Sequence, residues 1–312
     1  MSREKRKWIS ISITVLLAGL LTGIGIYGIG QYGLALFILT PVFIGAGSTI
    51  LYGYKTTFIT NKGDAAKVGF TALGIFTLIL LVCAIEGIIC IAMAAPFGLF
   101  FTWVGTLIGY YVITKKDMNS FSVFLVLMLC IPLVSFIEKD ISPAYHTVVT
   151  RVEIDAPIEK VWTNVVEFPQ LKEPTEFLFK AGIAYPINAT IKGTGVGAIR
   201  YCTFNTGSFV EPITRWDAPN LLQFDVLEQP APMKELSFWD VDAPHLHDYF
   251  VSKRGQFKLI SISKNKTLLE GTTVYYHNIR PVFYWQIWSN NIVHKIHERV
   301  LNHIKSNSEM HY

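Results

Sequence analysis

Charge is what the first part of this chain lacks. Charged residues make up 16% of the 312, and most lie after position 138. A stretch of that length with so little charge cannot clothe a water-soluble domain. Cysteine is scarce too. Cys83, Cys90 and Cys130 fall within apolar runs, and Cys202 stands alone in the polar half. No CxxC pair occurs, which excludes a disulfide framework, a zinc ribbon and a thioredoxin-type redox centre. The four read as small buried hydrophobes. Phosphate-loop signatures are also missing. The block Gly193-Thr194-Gly195-Val196-Gly197 lacks GxGxxG spacing, a following helix and a lysine-serine pair, so it reads as a strand connection. No Ser/His/Asp or Cys/His set can be assembled. The net charge is +4, yet Arg3, Lys5, Arg6, Lys7, Lys55, Lys62, Lys67, Lys115 and Lys116 all sit in short segments between apolar runs. That pattern suits membrane orientation rather than a nucleic-acid-binding face.

What is present instead is a series of apolar runs. A helical span needs about 20 apolar residues. Residues 8–29, 33–54, 68–93, 97–113 and 120–137 meet or approach that length. Five spans are expected, with three or four plus a re-entrant piece as the alternative. The basic segments alternate with uncharged connections at 30–32 and 94–96. This places the amino end in the cytoplasm and the polar half outside it. The implied location is a bacterial-type plasma membrane. Glu86 lies well inside the third run, where an ionisable group is costly and often functional. The alternative is that the helix shifts and Glu86 reaches an interface or stays protonated. Pro96 with Gly98 is expected to break the helix soon after. The division is therefore 1–140, a membrane domain, and 141–312, a globular one.

From His146 the pattern changes. Val148, Val152 and Ile154 read as a strand, and Asp155-Ala156-Pro157 stops it and starts a helix striped by Ile158, Val161, Trp162 and Val165. A second short helix is expected over 169–177. Strands then follow at antiparallel spacing over 184–191, 198–204, 207–216, 221–227, 249–263 and 267–277. A long amphipathic helix from Val282 to Lys305 closes the chain, with Trp285, Trp288, Ile292, Ile296, Val300 and Ile304 on one stripe.

The opening Val152-Glu153-Ile154-Asp155-Ala156-Pro157-Ile158-Glu159-Lys160-Val161-Trp162 carries a resemblance. So do the block from Gly193 to Arg200 with Ile213-Thr214-Arg215-Trp216, and Gly255-Gln256-Phe257 through Leu269-Glu270-Gly271-Thr272-Thr273. In this order they resemble the START-like (SRPBCC) superfamily, in particular its polyketide-cyclase/dehydrase-type members, over residues 145–306. The resemblance implies an α+β helix-grip fold: a curved antiparallel sheet wrapped round a long carboxy-terminal helix, with an apolar cavity between them. It also implies binding of a lipid or other hydrophobic small molecule. A minority of such domains catalyse cyclisation or dehydration.

Residues for such a site are few. Arg200 and Glu211 lie on strands, and an inward pair would mark a polar ligand contact. His297 lies beside the apolar stripe, as Trp288 does within it. The proline-bounded insertion 229–248 carries Phe238 and Trp239, which read either as a packed aromatic cluster or as a gate over the cavity. His245 and His247 in that insertion are expected in solvent. His294 and His297 are three apart, close enough to share a metal, but no carboxylate completes a set and Glu298 is placed elsewhere on the helix. No metal, cofactor or catalytic residue is assigned. Three functions remain: a ligand-binding domain tethered beside the bilayer, a cyclase/dehydrase-type enzyme, or a structural membrane protein without a ligand.

Overall fold

The protein is described by a computed structural model covering residues 2–115, 118–235 and 241–310. The chain forms two compact units. One comprises Met1–Ser142, Glu235–Pro244 and Asn278–Val282; the other comprises Pro143–Lys234, His245–His277 and Phe283–Tyr312.

The first unit is helical. Helix α1 runs Arg3–Gly23 and continues as a π-turn over Ile24–Ile29; a second π-turn, Ala35–Leu39, leads into α2, Thr40–Gly53. Then come α3, Lys62–Val82, α4, Ile88–Thr114, and α5, Ser120–Glu138. Five helices among the described residues are long and apolar enough to cross a membrane. Small residues let them approach closely: a Cβ on Gly45 would strike the backbone of α4 at Thr102, and one on Gly105 the backbone of α2 at Val42.

Two boundaries differ from the sequence expectation. The third apolar run is not one helix. It is cut at Cys83–Gly87, so α3 begins earlier, at the Asn61 cap, and α4 begins at Ile88. Pro96 does not break α4, which continues through it to Thr114. Apolar side chains flank the cut on both sides and Glu86 is its one polar group, so hydropathy alone hides it.

The second unit is a seven-stranded antiparallel sheet gripping a helix, the helix-grip (START-like) fold. Strand β1, Tyr145–Ile154, leads into α6, Ile158–Val166, and the short α7, Phe177–Lys180. Strands β2 to β7 are Pro186–Lys192, Ile199–Phe204, Gly207–Asp217, Leu221–Asp225, Phe250–Ser263 and Lys266–His277; α8 is Val282–Glu309. The sheet order is β1-β7-β6-β5-β4-β3-β2. The helix expected over 169–177 is absent there and forms only from Phe177; Pro169 and Pro174 disfavour helix in the residues before them.

The core lies between sheet and helix. Ile154, Leu222, Leu259 and Leu269 from the strands meet Val161 and Val165 of α6 and Val300, Leu301 and Ile304 of α8. Each contributes about 1.5–3 kcal/mol by leaving water, before entropy is counted. The glycine block ends in β3, not in a helix, with Gly193, Gly195 and Gly197 all at positive φ. It is a strand connection that only glycine enters cheaply.

Candidate functional site

The interior of the helix-grip unit carries polar groups at two places. The first is on β3 and β4. A two-residue turn, Asn205-Thr206, joins these strands, and the register sets Arg200 opposite Glu211. Both side chains point inward, since burial alternates along β3. Arg200 is 1% exposed and its Nη1 donates to Glu211 Oε2. Phe168, Phe224 and Phe257 stand round the guanidinium, with ring centroids 5.6, 5.5 and 5.5 Å from its carbon. Charge in such a place needs both a partner and polarisable walls. Arg200 Nε has no hydrogen-bond partner. Burial pushes the Glu211 carboxyl up from its ordinary value, and the guanidinium opposes that rise. Beside them, burial and then the charge of Glu211 push the Cys202 thiol up to about 12, which makes it an unreactive one.

The second place is where α8 crosses β1 and β7. His297 Nδ1 lies 3.0 Å from Thr150 Oγ1 and its Nε2 lies 2.7 Å from Thr273 Oγ1. His294 Nδ1 lies 2.8 Å from the same Thr150 hydroxyl. Glu298, expected elsewhere on the helix, in fact meets His294: its Oε1 lies 3.4 Å from Nε2, one turn along α8. Burial, followed by the neighbouring His294, lowers His297 to about 4, so its ring is neutral near pH 7. Farther along, Tyr275 Oη lies 2.7 Å from Ser289 Oγ and donates to Asn290 Oδ1 at 2.6 Å.

The two places lie on different strands, and none of the described hydrogen bonds joins them. Trp288 is half-buried on α8. Phe238 and Trp239 lie outside the described residues. His245, expected in solvent, is buried; His247 is exposed. The histidine-hydroxyl set escaped sequence reading because Thr150 and Thr273 look like ordinary strand threonines. Only the fold brings them to one helix.

Glu86 is not inside a span. It lies in the Cys83–Gly87 connection of the helical unit, where it is buried near the Tyr32 hydroxyl. Within that same unit the Glu235 carboxylate sits against Gly87, near the backbone N–H groups of Ile89 and Cys90. A carboxylate there complements the amino-terminal end of α4, whose cap residue, Gly87, offers no side chain. Burial, opposed by the nearby Tyr32 hydroxyl and helped by Glu235, pushes the Glu86 carboxyl up to about 8.

No protein-family model matches the chain, and no curated protein matches it. Solved structures do. Truncated norcoclaurine synthase from Thalictrum flavum aligns at 16% identity over 55% of this chain and 99% of its own, with a TM-score of 0.36. The Zhui aromatase/cyclase from Streptomyces sp. R1128 aligns at 11% identity over 53% of this chain and 94% of its own, at 0.33. The Aha1 dimer from Colwellia psychrerythraea aligns at 16% identity over 53% and 97%, at 0.31. Each likeness extends over about half of the chain.

Proposed function

We propose that this chain is a membrane-anchored helix-grip protein that holds an apolar small molecule or lipid between α8 and the sheet. One observation carries the reading. Ile191, Phe209, Phe257 and Ile296 pack against the buried core, yet each keeps accessible surface. Phe209 and Phe257 alternate in register with the buried Glu211 and Leu259, so that surface faces inward. Large apolar groups half-covered inside a grip are the lining expected of an oily site. Arg200 and Glu211 are the buried polar pair behind that lining, and His297 and Trp288 line the helix side. The anchoring helices keep the domain beside a bilayer, which raises the local concentration of a membrane-derived ligand without further contacts.

The test uses the full chain in micelles with a long-chain fatty acid carrying a diazirine. Cross-links on Phe209, Phe257 or Ile296 are the expected result. Labelling confined to α1–α5 would overturn the reading.

A further inference from the structure

The hydrogen bonds around His297 form a single file. Glu298, His294, Thr150, His297 and Thr273 follow one another at 3.4, 2.8, 3.0 and 2.7 Å. The two ends differ. Glu298 and His294 are 38% and 44% exposed, whereas Thr150 is 5% exposed. Thr273 sits on the inward face of β7, between buried Gly271 and Tyr275, and keeps some accessible surface of its own.

Proton counting constrains the file. A hydroxyl has one proton, and a neutral imidazole has one donor and one acceptor nitrogen. Thr150 touches two ring nitrogens, so one ring must donate to it. With both histidines neutral and Glu298 ionised, one arrangement satisfies every group. Thr273 donates to His297 Nε2, His297 Nδ1–H donates to Thr150, Thr150 donates to His294 Nδ1, and His294 Nε2–H donates to Glu298. Protonating His294 reverses the order. His294 Nδ1–H then donates to Thr150, Thr150 to His297 Nδ1, and His297 Nε2–H to Thr273, whose own proton turns to the interior.

We propose that this file is a proton wire between the helix-grip interior and solvent, and that it accepts a proton from an apolar ligand bearing a carboxylic acid. The inference rests on the reading that the interior is occupied. The transfer balances. The ligand O–H bond breaks as a new Thr273 Oγ–H bond forms. The original Thr273 proton passes to His297 Nε2, the His297 Nδ1 proton to Thr150, and the Thr150 proton to His294 Nδ1. The products are a ligand carboxylate inside and an imidazolium held by Glu298 outside. An alcohol is too weak an acid to give up that proton. A carboxylic acid is a far stronger acid than an alcohol, and an imidazole nitrogen is a base able to take its proton. Thr273 is the group that touches ligand, while the two histidines and Thr150 act through it.

The charged and titratable neighbours are few. On α8, Lys295 shares Glu298 with His294, its Nζ 2.7 Å from Oε2. On the inward faces of β1 and β7 the titratable groups are His146, Tyr275 and His277, whose rings lie 5.3 to 6.4 Å apart; Arg151, Glu153, Lys266 and Glu270 lie on the opposite face.

The test is nuclear magnetic resonance of the full chain in micelles, with ¹⁵N-histidine reporting the tautomer of each ring. The expected result is that the His297 proton moves from Nδ1 to Nε2 as His294 becomes protonated. Thr150→Val should abolish the move while His294 still titrates, and Thr150→Ser should restore it. A His297 ring that keeps one tautomer throughout in the unaltered protein would overturn the wire. So would a swap that persists in Thr150→Val. The ligand arm uses dodecanoic acid labelled with ¹³C at its carboxyl. Bound in the unaltered protein, it should ionise about tenfold more readily than in Thr150→Val, a midpoint lower by about one pH unit. Equal midpoints would overturn the proposal alone. A tautomer swap with no dodecanoic acid bound would instead overturn the reading of an occupied interior, and the carboxylic-acid half of the proposal with it.

Discussion

Arg200 and Glu211 face each other across neighbouring strands, and their charges meet in the buried interior of the helix-grip unit. Two forces compete there. Desolvation opposes both charges, and their mutual attraction offsets it only while both are present.

Removing one partner should therefore hurt more than removing both. Glu211→Gln leaves the guanidinium uncompensated and should destabilise the protein by about 3–5 kcal/mol. Arg200→Met together with Glu211→Leu should recover much of that loss. Thermal unfolding of the full chain in detergent compares the three. Equal losses in single and double variants would refute the argument.

Acid should loosen the protein through its buried histidines. His297 and His245 are each lowered by burial to about 4, from an ordinary value of about 6.5. Between those values the unfolded chain takes up protons that the folded chain refuses. Stability is thus complete above pH 6.5 and falls as pH drops towards 4. His297→Gln should reduce the fall in melting temperature between pH 7 and 4.5 by several degrees, leaving the share of His245. An unchanged slope would show that His297 is accessible to protons in the folded state.

The sidedness proposed from the basic segments can be read by labelling. Cys202 is unsuitable because it is buried. Lys264→Cys, in the exposed turn between β6 and β7, and Lys5→Cys, near the amino end, are both open to reagent. In a background lacking the native cysteines, a membrane-impermeant maleimide should label Lys264→Cys on intact cells. Lys5→Cys should react only after permeabilisation. The reverse pattern would invert the topology.

Much of the helix-grip half is written locally. The turn Asn205-Thr206 fixes the pairing of β3 with β4, so alternation alone sets Arg200 against Glu211. The stripe on α8 is plain from its spacing. Other features have no local signal. The cut at Cys83–Gly87 is apolar on both sides, and Glu86 is its one polar mark. Glu235 reaches the start of α4 from far along the chain, with only its fold-given neighbours to reveal it. The His297 file joins threonines from β1 and β7, whose sequence distance hides their shared helix.

The first strand of the sheet has a single neighbour, and that neighbour is made late. Tyr145 pairs with Tyr276, which is 131 residues downstream (276 minus 145). At a synthesis rate of about 5–20 residues per second, β1 waits roughly 7–26 s for β7 to be translated. Through that interval its N–H and C=O groups lack their native partners, while α5, just before it in the chain, is already complete. The nascent chain must therefore keep a bare strand from mispairing until β7 has left the ribosome.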